Sequence, residues 1–192
     1  MSFLLRKFLA MNWLIFGLMV ALAIFGIVAV FSATYFKTDD YWHKQFVFVA
    51  IGIAVFLAAS LVDYRWIRWG ALPMYLAGIV GLILTYTPLG VEHGGARCWL
   101  KIPGIPEFQP SQLSILAGIM VLSLFLSQFK HLHPALRVAF CGVIAGAPML
   151  LILKQPDVGM TMTWAPVVLG VMFLGGIPKR YLISIILLGI IA

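Results

Sequence analysis

The chain has 192 residues, of which 63% are hydrophobic and only 10% are charged, and its mean hydropathy is +1.08. This composition excludes a water-soluble globular domain, in which roughly a quarter of the residues are charged. The net charge is +7, but the basic residues form no single patch, so we expect no nucleic acid partner. The apolar residues occur in runs of about 20, the length that a helix needs to cross a hydrocarbon core of about 30 Å. We therefore predict an all-α polytopic membrane protein.

The apolar runs predict six complete transmembrane helices and the start of a seventh, within one transmembrane domain over residues 1–192. We expect the first run to be an uncleaved helix, because its core is longer than the ~7–15 apolar residues of a signal peptide. The seventh run reaches only about 16 Å, half of a bilayer, which predicts a truncated chain with further helices beyond Ala192. The predicted helices are 12–33, 45–62, 70–88, 111–129, 135–153, 160–176 and 182–192.

Charge is distributed unequally between the two sets of alternate connections. One set carries eight basic residues against the single acid Asp63, whereas the other carries five basic and five acidic residues. By the positive-inside rule the first set is cytoplasmic. The N-terminus is then inside, and the loop 89–110 and the turn 154–159 are outside. The basic residues of the first set are Arg6, Lys7, Arg65, Arg68, Lys130, Arg137, Lys179 and Arg180; the second set holds Lys37, Lys44, Arg97, Lys101, Lys154, Asp39, Asp40, Glu92, Glu107 and Asp157.

The predicted external loop 89–110 is the longest polar passage of the chain, and its prolines and glycines exclude a regular helix through its middle. Arg97 and Lys101 lie in it beside the aromatic Trp99. Arg97 could grip a phosphate or carboxylate with its planar guanidinium, and the glycines before it would let backbone N–H groups approach the same anion. The alternatives are an anchor for lipid headgroups or an ion pair with Glu92.

A second candidate is Asp157, which follows Pro156 where helix five ends. Its carboxylate could cap helix six by accepting the free N–H groups of the first turn. Alternatively it could face a polar cavity and pair with Lys154 or Arg97, since ionisable groups near a membrane are candidates for function. Residue types alone do not decide between these two roles.

Helix four opens with Gln109-Pro-Ser-Gln112. Ser111 fits either the N-cap or the first turn, and we expect Gln112, one turn inside, to form hydrogen bonds in the bundle interior. The four histidines show no spacing typical of a metal site. Cys98 and Cys141 are predicted at different depths of the membrane and therefore unpaired. No phosphate-binding glycine loop, nucleophile elbow or pair of carboxylates is visible.

Read together, three stretches resemble the shape, elongation, division and sporulation (SEDS) family of RodA, FtsW and SpoVE. Their order and spacing fit the family across the 192 residues, and they are most like RodA. The stretches are Phe31-Ser-Ala-Thr34, Gly95-Ala-Arg-Cys-Trp99 leading to Phe108-Gln-Pro-Ser111, and Gln155-Pro-Asp-Val-Gly159. The motif residues within them are Gly95, Trp99, Gln109, Pro110, Ser111, Gln155, Pro156 and Gly159.

This resemblance implies the N-terminal part of a ten-helix glycosyltransferase of the bacterial inner membrane. The enzyme would polymerise lipid II, an undecaprenyl-pyrophosphate-linked disaccharide-peptide, into glycan strands for elongation and cell shape, together with a class B penicillin-binding protein. No cofactor is evident, although the full-length enzyme could use a divalent cation. The family's essential aspartate follows helix seven, so we expect the catalytic residue beyond Ala192. The substrate-binding candidates are Arg97, Lys101, Gln112, Lys154 and Asp157.

The sequence departs from the family at the start of helix four. The family pattern there resembles Gln-Pro-Ser-Glu followed three residues later by lysine, whereas this chain has Gln112 and Ile115. Loss of both partners avoids stranding one buried charge, which would cost about 3–5 kcal/mol. Two alternatives to the enzyme stay open: a transporter of a lipid-linked precursor, and a non-catalytic scaffold for a transpeptidase, which the departure favours.

Overall fold

The structure is a computed structural model that describes residues 8–9, 11–35, 41–104 and 106–191. Five of the charges used to predict the topology, those of Arg6, Lys7, Lys37, Asp39 and Asp40, lie outside these residues. In chain order the helices are α1 (Trp13–Thr34), α2 (Tyr41–Leu61), α3 (Tyr64–Leu84), α4 (Pro110–Gln128), α5 (Pro134–Lys154), α6 (Val158–Leu174) and α7 (Lys179–Ile191). Two strands, β1 (Gly90–His93) and β2 (Ala96–Leu100), lie between α3 and α4.

The helical membrane fold is confirmed. Helices α1 to α5 have 19 to 22 residues and are long and apolar enough to cross a membrane. Helix α6 is apolar but has only 17 residues, which corresponds to about 25 Å. The predicted set of six spans is therefore present as five long helices and a shorter sixth, followed by α7.

Capping residues explain where the helices begin. The side chain of Asn12 accepts a hydrogen bond from the Ile15 N–H at 3.2 Å and starts α1. The side chain of His133 accepts one from the Ala135 N–H at 3.3 Å and starts α5. Helices α4 and α5 both have proline in their first turn, where the missing N–H costs no intrahelical bond. Glycine ends α6, because Gly176 has φ +79°, which residues with a Cβ rarely adopt.

Helix α3 differs most from the prediction. Residues 63–69 were predicted as a turn, but the helix begins at Tyr64, six residues before the predicted start. It also ends at Leu84 instead of residue 88, and the N–H groups of Tyr86 and Thr87 then bond to carbonyls three residues back. The aromatic residues Trp66 and Trp69 are strongly exposed, as expected for a helix that continues beyond the hydrocarbon into the interface.

The chain forms two compact units, Met1–Tyr64 and Arg65–Ala192. In the first unit α1 and α2 pack antiparallel, since Phe16 stacks on Phe56 and Phe31 meets Trp42 edge-on, with ring centroids 5.7 Å apart in both pairs. As described, neither helix has a residue that is buried in the protein. Long helices with exposed apolar side chains are typical of membrane spans.

The second unit contains α3 to α7 and the two strands, and its core lies among α4, α5 and α6. Trp164 of α6 is fully buried in this core. Its ring occupies the space beside Gly118 of α4, where an added Cβ would lie 2.3 Å from the ring. Two tyrosines connect α5 to α3 and to the segment after it: the Tyr75 hydroxyl donates to the Ile144 carbonyl at 2.7 Å, and the Tyr86 hydroxyl donates to that of Leu151 at 2.6 Å.

Candidate functional site

The predicted external loop contains a β-hairpin that the sequence analysis did not predict. Strands β1 and β2 pair antiparallel, with Val91 opposite Trp99. Gly94 and Gly95 form the two-residue turn and have φ of +61° and +85°, the combination that favours glycine in tight hairpins. Beyond β2 the backbone of Leu100 also pairs with that of Phe108. The loop is therefore a folded element, and only its Gly-Gly turn was visible in the sequence.

Two of the sequence motifs meet at Asp157. Its Oδ1 accepts a hydrogen bond from the Met160 N–H at 3.0 Å, so Asp157 is the N-cap of α6, which was one of its two predicted roles. Its Oδ2 accepts a second bond from Nε2 of Gln109 at 2.8 Å. Gln112 in turn donates to Oε1 of Gln109 at 3.3 Å. A chain of side chains thus joins the start of α4 to the start of α6.

The fourth participant is Cys98 of β2. Its side chain is buried, and burial, reinforced by the nearby Asp157 carboxylate, raises the pKa of the thiol. A hydrogen bond from Gln109 acts in the opposite direction and lowers this pKa. We call Cys98, Gln109, Gln112 and Asp157 the Asp157 cluster. It brings together residues of the hairpin, of α4 and of α6, three segments that are distant in the sequence.

Arg97 bonds to the backbone that leads into the hairpin. Its Nε donates to the carbonyl of Gly90 and its Nη2 to that of Thr87, both at 3.1 Å. Gly90 is closely packed, because an added Cβ would lie 1.9 Å from the carbonyl oxygen of Thr85. Arg97 is exposed, so its guanidinium holds the base of the hairpin and still faces the surroundings. Arg97 thus bonds to these two carbonyls and not to Glu92, which was one of its predicted alternatives.

Lys101 belongs to a second polar group around Glu107. The Glu107 carboxylate accepts a hydrogen bond from Nε2 of His93 at 2.9 Å and lies 3.4 Å from Nζ of Lys101. These two partners, His93 foremost, lower the pKa of Glu107. His93 also meets Trp99 edge-on, with ring centroids 5.8 Å apart. The sequence analysis used Glu107 only as a charge for topology, whereas it connects the hairpin to the segment that precedes α4.

Gln155 fixes the turn between α5 and α6. Its side chain is 1% exposed, and its Nε2 donates to Oγ1 of Thr85 at 2.6 Å and to the carbonyl of Leu82 at 3.3 Å. This attaches the turn to the end of α3, next to Pro156 and Asp157. Lys154 is exposed in the last turn of α5, where a cation is favoured by the helix dipole. The carboxylate of Asp157 is satisfied by Gln109 and the helix N–H instead of by the predicted Lys154 or Arg97.

The first turn of α4 differs in part from the expectation. Ser111 lies in the first turn behind Pro110, and its hydroxyl is buried without a hydrogen-bond partner among the described residues. Gln112 is exposed, so the predicted bonding inside the bundle is wrong and its partner is Gln109 at the surface. Ile115 packs against the core.

The cysteines and possible metal ligands lie apart. Cys98 and Cys141 are both buried free thiols. Within residues 8–9, 11–35, 41–104 and 106–191, no group of three or more His, Cys, Asp or Glu side chains could hold a metal ion. The donor set that a divalent cation prefers, several oxygens at close range, is thus not assembled in this part of the chain. We assign no step to a metal here.

Curated relatives of this chain are named FtsW and RodA, two members of the family that the sequence resembles. The chain is 31% identical to the probable peptidoglycan glycosyltransferase FtsW of Geobacter sulfurreducens, over 86% of this chain and 47% of that protein. It is 32% identical to the peptidoglycan glycosyltransferase RodA of Treponema pallidum, over 91% of this chain and 41% of that protein. The chain therefore spans less than half the length of these relatives.

Solved structures and a family model agree with these relatives. The crystal structure of the rod shape determining protein RodA of Thermus thermophilus matches with a TM-score of 0.79 and 27% identity, over 92% of this chain and 57% of that one. A chain of a peptidoglycan synthase complex described for coordinating polymerization and crosslinking matches with 0.79 and 26%, over 95% and 53%. The family model for FtsW, RodA and SpoVE, described as cell cycle protein, matches residues 12–192. The chain therefore belongs to the FtsW, RodA and SpoVE family.

Proposed function

We propose that this chain is part of a membrane glycosyltransferase that polymerises lipid II into peptidoglycan glycan strands for cell-wall elongation and shape. The observation that carries the proposal is the family match over residues 12–192, with relatives named peptidoglycan glycosyltransferase. The meeting of the hairpin, α4 and α6 at the Asp157 cluster supports it, since residues of the sequence motifs make these contacts. The enzyme would act in the bacterial inner membrane, with its N-terminus in the cytoplasm.

Within this enzyme we assign the Asp157 cluster a positioning role. Both oxygens of the Asp157 carboxylate already accept hydrogen bonds, so the side chain holds the hairpin, α4 and α6 in register. Three exposed cations at the same end of the second unit, Arg97, Lys101 and Lys154, are the groups suited to an anionic substrate. Arg97 is the strongest of them because its planar fork can bind two phosphate oxygens at once. The exposed amide of Gln112 could contact the sugars.

The catalytic carboxylate belongs, in this proposal, to the part of the relatives that this chain does not cover. A class B penicillin-binding protein would be the partner that crosslinks the strands. The structural match to a chain of a peptidoglycan synthase complex, described as coordinating polymerization with crosslinking, supports that partner. This chain would then contribute the cations that contact the anionic substrate, together with the folded hairpin at the outer face of the membrane.

A non-catalytic scaffold is the second candidate, and Ile115 favours it. Where the family pattern has a lysine, this side chain packs against the core of α4, α5 and α6. Gln112 is also uncharged, whereas the family pattern has a glutamate at this position. A scaffold would bind its transpeptidase without making polymer, and this difference separates the two candidates.

The test is polymerisation of purified lipid II by the complete enzyme with its partner, followed by separation of glycan strands on gels. We expect strands from the wild type and about tenfold slower synthesis by Arg97→Gln, the loss of about one charge-assisted hydrogen bond. Glu92→Gln, an exposed change in the same hairpin, is the control and should keep full activity. No polymer from the folded wild type would support the scaffold. Full activity of Arg97→Gln would contradict only the role of Arg97.

A further inference from the structure

A cavity of about 620 Å³ opens at the end of the second unit that lies opposite the Asp157 cluster. It is formed where α4 ends, α5 begins and α6 ends. Its polar lining consists of Ser123, Ser127, Lys130 and Arg137, and the remainder is apolar or glycine. None of the lining residues carries a carboxylate. The cavity therefore has a cationic part and an apolar wall.

Arg137 is the centre of this cavity's chemistry. The residue is only 5% exposed, and its Nη2 donates to the carbonyl of Gly175 at 2.6 Å and to that of Leu126 at 3.3 Å. Its Nε is buried and has no hydrogen-bond partner among the described residues. No carboxylate within 4.0 Å pairs with it in that part of the chain. A buried cation of this kind is expected to have a counter-charge.

The carbonyls of Leu126 and Gly175 compensate the positive charge of Arg137 only in part. The carbonyl of Leu126 belongs to the last turn of α4 and that of Gly175 to the C-cap of α6, and at each of these helix ends the dipole gives about half a negative charge. Arg137 itself lies in the first turn of α5, where that helix's own dipole disfavours a cation. An anion in the cavity would balance the charges of Arg137 and Lys130 at the same time.

The size and the apolar wall of the cavity indicate which class of anion it binds. A volume of about 620 Å³ is about twenty times the share of one water in the liquid, far more than a phosphate ion fills. Ile119, Val171 and Leu174 provide the apolar side. Basic pockets between transmembrane helices are typical sites for anionic lipid headgroups. The positive-inside distribution predicts that this end is cytoplasmic.

We propose that this cavity binds an anionic phospholipid of the cytoplasmic leaflet, with the phosphate against Arg137 and Lys130 and the lipid body along Ile119, Val171 and Leu174. The site is separate from the proposed substrate contacts, because the length of α4 lies between them. The proposal therefore does not depend on polymerase activity. Bound lipid would connect the last turns of α4 and α6 to the start of α5 and stabilise this end of the bundle.

The experiment measures thermal unfolding of the complete protein in neutral detergent, with phosphatidylglycerol, phosphatidylcholine or inorganic phosphate added. We expect phosphatidylglycerol to raise the unfolding temperature by about 2–4 °C more than phosphatidylcholine does, and inorganic phosphate to have little effect. Native mass spectrometry should show the same lipid retained. An equal effect of both lipids would overturn the proposal, as would an equal effect of inorganic phosphate, which would indicate a site for a free ion.

Three variants test whether phosphatidylglycerol acts by binding in this cavity. Lys130→Gln should weaken the response to phosphatidylglycerol about fivefold in concentration, the share of one interfacial lysine. Ser123→Phe should also weaken it, by narrowing the cavity while keeping both charges. Lys179→Gln removes an exposed cation outside the cavity lining and should leave the response unchanged. If Lys130→Gln and Ser123→Phe respond as the wild type does, the lipid binds elsewhere and the proposal is wrong.

Discussion

At one end of the second unit a carboxylate, Asp157, begins α6, and at the other end a guanidinium, Arg137, lies against the carbonyl of Gly175 that ends the same helix. Both charges thus complement the dipole of α6, which is positive at its start and negative at its end. The Asp157 end is closed, because both carboxylate oxygens have partners. The Arg137 end is open, because one N–H donor is unused beside a cavity.

The comparison shows that the same electrostatic rule can serve two purposes. At the Asp157 end one partner is the N–H of Met160 in α6 and the other is the side chain of Gln109 from another segment, so the charge helps to fix the hairpin, α4 and α6 relative to one another. At the Arg137 end the partners are backbone carbonyls alone, and the cavity beside the guanidinium is available to a ligand. The variants below, in order of expected effect, test this distinction.

The largest effect is expected from Arg137→Ala. The change removes two hydrogen bonds from a charged donor and enlarges the cavity between α4, α5 and α6, which we expect to cost about 2–4 kcal/mol. Thermal unfolding of the complete protein in detergent measures it. Arg68→Ala, an exposed arginine of α3, is the matched control and should change stability by less than about 0.5 kcal/mol. Equal effects of the two would show that Arg137 does not hold the helix ends together.

A smaller loss is expected from Asp157→Ala, which removes the N-cap and the acceptor for Gln109. Loss of a capping residue costs about 0.5–2 kcal/mol, and the neighbouring amide adds a modest further loss. Asp157→Asn keeps one oxygen for the Met160 N–H and should cost less. Gln109→Ala combined with Asp157→Ala should be less destabilising than the sum of the single changes. Strict additivity would mean that the bond between the two side chains contributes nothing.

The alkylation rate of Cys98 tests whether the Asp157 end is closed to solvent. Because burial and the nearby carboxylate raise the pKa of its thiol, we expect alkylation at pH 7 to be much slower than for a free thiol with pKa about 8.5. Asp157→Asn should accelerate it by removing the negative charge. The Cys141→Ala background leaves one thiol, so mass spectrometry of the alkylated protein gives the rate directly. Rapid alkylation of the wild type would show that the cluster is open to solvent.

The smallest effect concerns Glu107. Its pKa is lowered in the folded protein from an ordinary value of 4.5, first by His93. The stabilising contribution is therefore complete above about pH 4.5 and decreases as the pH falls through the lowered pKa. Comparing the unfolding temperatures of wild type and Glu107→Gln from pH 7 to pH 3 isolates this group. The two curves should converge in acid, and a constant separation would contradict the assignment.

Much of the helical frame could be predicted because residues with a local physical effect mark the helix ends. The starts of α4 and α5 were each predicted within one residue from the apolar runs, which begin directly after Pro110 and Pro134. The beginning of α3 was missed, because the aromatic and basic residues after Asp63 are as typical of an interfacial turn as of a helix that extends into the interface. The capping role of Asp157 was one of two predicted roles, since it depends only on the residues that follow it.

The contacts of the site could not be predicted in the same way. The bond between Gln109 and Asp157 joins residues 48 positions apart, and no periodicity specifies such a pair. The hairpin strands have only four and five residues, too short for alternation to stand out in an aromatic and glycine-rich loop. Arg137 entered the sequence analysis only as a charge for topology, because nothing in its neighbours shows that it reaches two other helices.

The account depends most on the two ends of the second unit facing opposite sides of the membrane, with the Asp157 end outside. Glu92→Cys in the hairpin and Lys130→Cys after α4 test this directly in a background with Cys98→Ala and Cys141→Ala. In intact cells with a permeabilised outer membrane, an impermeant maleimide should label the first variant, and it should label the second only after the inner membrane is opened. Labelling in the reverse order would place the hairpin in the cytoplasm and contradict both the proposed substrate contacts and the proposed lipid site.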